Sequence, residues 1–148
     1  MQDPYSLNRF VQAQAPVFDR VVAELRAGAK RSHWMWFIFP QLAGLGHSDM
    51  ARQFAIRSLA EAQAYLRHPV LGMRLVECTQ LVMAAHKADP SRSANDIFGA
   101  PDDLKFRSSM TLFAMADLAQ PEFGAALALF FDGRADAATV SLLDQAPQ

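Results

Sequence analysis

The chain carries a single cysteine in 148 residues, Cys78, so no internal disulfide can form and a reducing compartment is expected. Cys78 falls inside an apolar helical pattern, where a buried, inert thiol is a simpler expectation than a nucleophile. Blocks of like charge are missing. The formal net charge is −1 and the lysines and arginines are scattered, which leaves no field to gather nucleic acid. Long apolar runs are missing too: stretches such as Trp34 to Phe39 fall far short of the roughly 20 residues that cross a bilayer. The opening Met1-Gln2-Asp3-Pro4-Tyr5 lacks the basic and apolar blocks of a secretion signal. A cytoplasmic protein with neither a nucleic-acid nor a membrane partner is the expectation.

Several chemistries are absent by the same reasoning. His33, His47, His68 and His86 show no His-x-x-x-His spacing, no Cys-x-x-Cys exists and no dense acidic cluster occurs, so no metal site is predicted. Gly44-Leu45-Gly46 has no third glycine and follows no clear strand, which argues against a dinucleotide or phosphate loop. A Gly-x-Ser-x-Gly elbow is also lacking. No cofactor is called for.

What is present is helical periodicity. Hydrophobic residues at 51% and charged residues at 20% place the chain among compact globules, and its length suits one domain, residues 1–148. Asp3-Pro4 reads as a helix start running to about Gln14, and Pro16 opens a second helix that Gly28 ends. Ser48 can cap a short helix through about Phe54. Ser58-Leu59-Ala60-Glu61 matches a capping box ahead of a helix that His68-Pro69 terminates. Further helices are expected over about 70–87, 102–118, 121–131 and 136–143, with 88–101 the clearest loop. The reading is an all-α, single-domain compact bundle of about seven helices, with room for minor strand content near residues 35–39 and 54–57.

Four groups of residues could carry chemistry. The first is His33-Trp34-Met35-Trp36-Phe37-Ile38-Phe39-Pro40-Gln41, which holds both tryptophans. Indole faces can stack on a planar ring while His33 and Gln41 fix its edges, or the segment can be plain aromatic core. The second is Glu61 with Tyr65, four apart on one helix side, able to grip a hydroxyl or orient a water. Glu61 is equally the expected partner of Ser58 in the capping box. The third is Asp102, Lys105 and Ser109, which lie within about 60° of one another on a helix of 3.6 residues per turn. Beside them Ser108, Ser109 and Thr111 put three hydroxyls in mid-helix, where each needs a partner. The fourth, Ser91 to Gly99, is either a lid loop or a turn.

The strings Ser32-His33-Trp34-Met35-Trp36-Phe37-Ile38-Phe39-Pro40-Gln41, Gly44-Leu45-Gly46, Glu61-Ala62-x-x-Tyr65-Leu66-x-His68-Pro69 and Asp102-x-x-Lys105-x-x-Ser108-Ser109-Met110-Thr111-Leu112-Phe113 together resemble the domain-of-unknown-function family numbered 1810. That resemblance implies a small, mostly helical bacterial protein and little about activity. Members sometimes carry a calpastatin label, but inhibitors of that kind are long and disordered, unlike this apolar chain. The order of elements is also remotely similar to the NADAR group, associated with NAD and ADP-ribose breakdown. There a Glu-bearing helix precedes a Lys-Phe helix, and Glu61, Tyr65, Lys105 and Phe106 would correspond.

Two functions are expected from this pattern. In the first, a nucleotide-like small molecule occupies one aromatic–polar pocket. Trp34, Trp36, Gln41, Tyr65, Asp102, Lys105, Ser108 and Ser109 bind it, and Glu61 and His33 act as acid or base on an N-glycosidic bond. In the second, seven methionines and eleven phenylalanines supply an adaptable face for protein interaction or a homodimer.

Overall fold

The computed structural model of the protein describes residues 2–145, and among them it contains ten α-helices and no strand. In chain order these are α1 (Asn8–Gln14), α2 (Phe18–Arg26), α3 (Met35–Ile38), α4 (Asp49–Gln53), α5 (Leu59–Arg67), α6 (Leu71–Ala88), α7 (Ala94–Phe98), α8 (Asp102–Ala116), α9 (Pro121–Phe131) and α10 (Ala137–Gln145). The all-α class is as expected, but the count of about seven is too low. The helices that periodicity does not announce are α3 and α7, each of four or five residues. So short a helix completes barely one turn of 3.6 residues, and no apolar stripe can repeat within it. Ser91 to Gly99 reads as loop by composition, yet Ser93 and Asp96 are the two halves of a capping box that starts α7. The strand content near residues 35–39 and 54–57 reduces to one isolated parallel bridge, Leu42 to Ile56.

Local chemistry sets most helix ends. Asp3 acts at a distance, its carboxylate accepting from the amides of Leu7 and Asn8 at 2.8 and 2.9 Å, so α1 begins later than expected. Gly28, at φ +70°, closes α2. Its amide donates to Leu25 and that of Ala29 to Glu24, the paired bonds of a Schellman ending. Ser48 and Ser58 cap α4 and α5 through the amides of Ala51 and Glu61. Asp136 caps α10 by accepting from the amide and hydroxyl of Thr139.

The buried apolar side chains form one core centred on α8, whose buried face runs from Phe106 through Phe113 and which packs on α5, α7, α9 and α10. Phe106 stacks on Phe98 at 4.8 Å and meets the edge of Phe39 at 5.0 Å. Phe39 also meets Phe98 edge-on at 5.8 Å. Each such pair contributes roughly 0.5–1.5 kcal/mol beyond burial. The trio draws residues 34–41 against the first turns of α8, and that contact brings the aromatic segment alongside Lys105.

Candidate functional site

A cleft opens where the chain leaves α3 at the buried Pro40. The segment from Gln41 to Gly46 is held to the chain beyond α4 by the Leu42–Ile56 bridge. Its two bonds run from the Ala43 amide to the Ile56 carbonyl (2.7 Å) and from the Ile56 amide to the Gln41 carbonyl (2.9 Å). Gly44 sits at φ +100°, a conformation that strains any side-chain-bearing residue. Gly46 lies so close to α4 that a Cβ there would stand 2.6 Å from that of Ala51.

The cleft encloses about 120 Å³. Met35, Phe39 and Phe54 line it with the half-buried Trp36, and Gln41 supplies an amide that has no hydrogen-bond partner among the described residues. Lys105, Arg52 and Arg57 also line it, and no carboxylate does. Three cations thus border an aromatic hollow in a chain of net charge −1; the exposed Arg52 lies 3.9 Å from Asp49, and Arg57 is exposed as well. A second, more open basin of about 250 Å³ shares Gln41, Gly46 and Lys105 with the first and adds Leu104, Ser108, Asp136 and Ala138.

Lys105 is positioned from behind. Asp102, in the first turn of α8 where a negative charge complements the helix dipole, lies 3.5 Å from Lys105 Nζ and 2.9 Å from Lys30 Nζ. Two ammonium groups on one carboxylate leave a positive charge in surplus on the cleft side. Lys30 itself donates to the Ser32 carbonyl at 2.7 Å and stands 5.0 Å from the centre of the Trp34 ring. The indole N–H of Trp34 donates to Glu24 at 2.9 Å. Burial works against charge on Glu24, but the Ser32 hydroxyl and the amides of Arg31 and Ser32, with the indole of Trp34, outweigh it. The carboxyl is held down at about 2.

Of the residues singled out from the sequence, Trp36, Gln41, Lys105 and Ser108 come together on the two basins, with Asp102 behind Lys105. The others do not join them. His33 is exposed, with no hydrogen-bond partner among the described residues. Trp34 is buried on Glu24. Tyr65 is fully buried, and its hydroxyl accepts from Gln14 at 3.1 Å; burial drives its pKa above the usual phenol range. Glu61 is buried with one oxygen 3.0 Å from Arg9 and the other accepting the Arg57 amide, so both carboxylate oxygens are engaged in holding the chain. The hydroxyls of α8 divide. Ser108 and Thr111 donate to carbonyls one turn back, while the buried Ser109 Oγ has no partner among the described residues and lines neither basin. Burial pushes the Cys78 thiol up to about 12, which leaves it unreactive.

Arg52 and Arg57 escape a reading of the sequence because scattered arginines look like ordinary surface charge. The available signal was their placement on either side of Phe54-Ala55-Ile56, a short apolar stretch flanked by two cations. The bridge to Leu42 and the packing of Phe54 on Phe37 at 5.3 Å hold that stretch against α3.

Residues 4–143 match the family described as "Protein of unknown function (DUF1810)". The chain is similar, at 57% identity and a TM-score of 0.92, to the crystal structure of a conserved hypothetical protein, Rv1873 of Mycobacterium tuberculosis; the match covers 97% of this chain and all of that one. No curated protein matches the sequence.

Proposed function

Because the chain belongs to the DUF1810 family of proteins of unknown function, we propose a role from its own geometry: the cleft binds a small, ring-bearing, negatively charged molecule of the nucleotide type. The observation that carries this is that Lys105, Arg52 and Arg57 all line an aromatic hollow that no carboxylate lines. Trp36 offers a face for stacking, Gln41 an unengaged amide for the ring's edge, and the cations attract and hold the anion. Binding is the part of the expectation that this arrangement supports. Cleavage of an N-glycosidic bond needs an acid or base beside the bond, and neither a carboxylate nor a histidine lines the aromatic basin.

The rival role, an adaptable apolar contact face, has less to stand on. All eleven phenylalanines are buried or half-buried, and the exposed large apolar side chains among the described residues are three: Met73 on α6, Leu104 in the first turn of α8 and Leu118 just past its end. No helix of the described residues is long and apolar enough to cross a membrane.

Thermal shift against NAD, ADP-ribose and common nucleotides tests the proposal. A ligand at about 100 times its dissociation constant adds about 2.7 kcal/mol, which corresponds to a rise in Tm of roughly 5–10 °C for a domain of this size. Trp36→Ala and Lys105→Met each abolish the rise, and added salt weakens binding. The proposal fails if none of these compounds shifts Tm at millimolar concentration.

A further inference from the structure

We propose that the ligand has two parts joined through its anion: a ring in the aromatic basin, a phosphate-type group at Lys105, and an uncharged, hydroxyl-bearing group in the second basin. This rests on the anion-binding role proposed for the first basin. Size is the first reason. The aromatic basin, at about 120 Å³, resembles engineered cavities of about 150 Å³ that accept one benzene ring. It therefore encloses a ring and not a whole nucleotide. Only with the adjoining basin of about 250 Å³ does the space reach the roughly 300–1,000 Å³ usual for small-molecule sites.

The distribution of charge is the second reason, and it changes across the junction. Of these two basins Arg52 and Arg57 line only the first, Arg57 also bordering a separate hollow with Arg9 and Glu61, whereas the second has the Ser108 hydroxyl and the Asp136 carboxylate in their place. Lys105 and Gln41 line both, which sets the positive charge at the joint. Asp136 disfavours a second anion on the far side. Ser108 already donates to the Leu104 carbonyl, so its oxygen is left to accept. The groups suited to that basin are hydroxyl donors, as on a sugar.

Calorimetry with AMP, UMP, ADP-ribose and UDP-glucose separates the parts. The two diphosphate conjugates are expected to bind roughly tenfold tighter than the monophosphates. Ala138→Trp, an exposed position lining the second basin, removes that advantage while AMP and UMP bind as before. Should Ala138→Trp disturb folding, Leu104→Trp fills the same basin from α8. Equal affinity of monophosphates and conjugates for the wild-type protein overturns the two-part ligand and leaves the ring-and-anion role intact. So does an advantage that survives both substitutions. Failure of all four compounds to bind the wild-type protein removes the underlying role as well.

Discussion

Replacing Arg9 by Met should cost about 3 kcal/mol, and the structure says why. The five guanidinium N–H groups of Arg9 are all engaged. Nε donates to the Gln53 carbonyl at 2.8 Å, Nη1 to those of Tyr5 and Ser6 at 2.6 and 3.0 Å, and Nη2 to the Ala55 carbonyl at 2.9 Å and to Glu61 at 3.0 Å. One side chain thus ties the start of the chain to the segment between α4 and α5. Glu61 has a side chain only 4% exposed, against 21% for Arg9. Losing the partner of a buried ion typically costs 3–5 kcal/mol, because the remaining charge is stranded. The partial exposure of Arg9 admits water and places the value at the low end. With a urea m-value near 2 kcal/mol/M, the midpoint should fall by roughly 1.5 M. The double variant Arg9→Met with Glu61→Leu removes the stranded charge and should recover at least about half of the loss. A single variant that loses under about 1 kcal/mol, or a double variant no better than the sum of its parts, would show that the pair does not act as a buried clamp.

Two further outcomes follow from geometry away from the cleft. Glu24 is held at about 2 against its ordinary 4.5, so its contribution is complete above pH 4.5 and is lost as the pH falls toward 2. Glu24→Gln should cost about 1–2 kcal/mol at pH 7, after allowance for its partial exposure. Urea melts across pH 7 to 2 should show that difference closing; a constant gap across the range would refute the assignment. In α6, a Cβ on Gly72 would lie 2.0 Å from the Leu66 carbonyl oxygen, which is backbone and cannot swing away. Gly72→Ala should therefore cost about 3 kcal/mol and lower Tm by roughly 6–12 °C, and an unchanged Tm would show that α5 and α6 separate freely.

Much of the fold was legible because helix ends are set by neighbours in sequence. Gly28, Ser48, Ser58, the His68-Pro69 pair and Asp136 act over a few residues, and each does what its type suggests. The helix α7 had such a local signal in the Ser93–Asp96 capping box, masked by a composition that reads as loop, whereas α3 was hidden for the opposite reason. Nothing local distinguishes Met35–Ile38 from a strand, and the contacts of Phe39 with Phe98 and Phe106 make the difference. Glu61 illustrates a polar residue whose type suggested chemistry while its partner, Arg9, lay 52 residues away.

From composition and spacing alone come the helical class, most of the caps and the buried inert thiol expected of Cys78. Those properties depend on interactions spanning about four residues or on totals over the chain, and a linear string records both. Which polar groups share a hollow was settled only by folding. The Leu42–Ile56 bridge and the Phe39–Phe106 contact join segments 14 and 67 residues apart. They bring Arg52, Arg57 and Lys105 to one cleft and leave His33, Trp34 and Glu61 outside it. Contacts that distant carry no periodicity, so their chemistry became visible only once the core had packed.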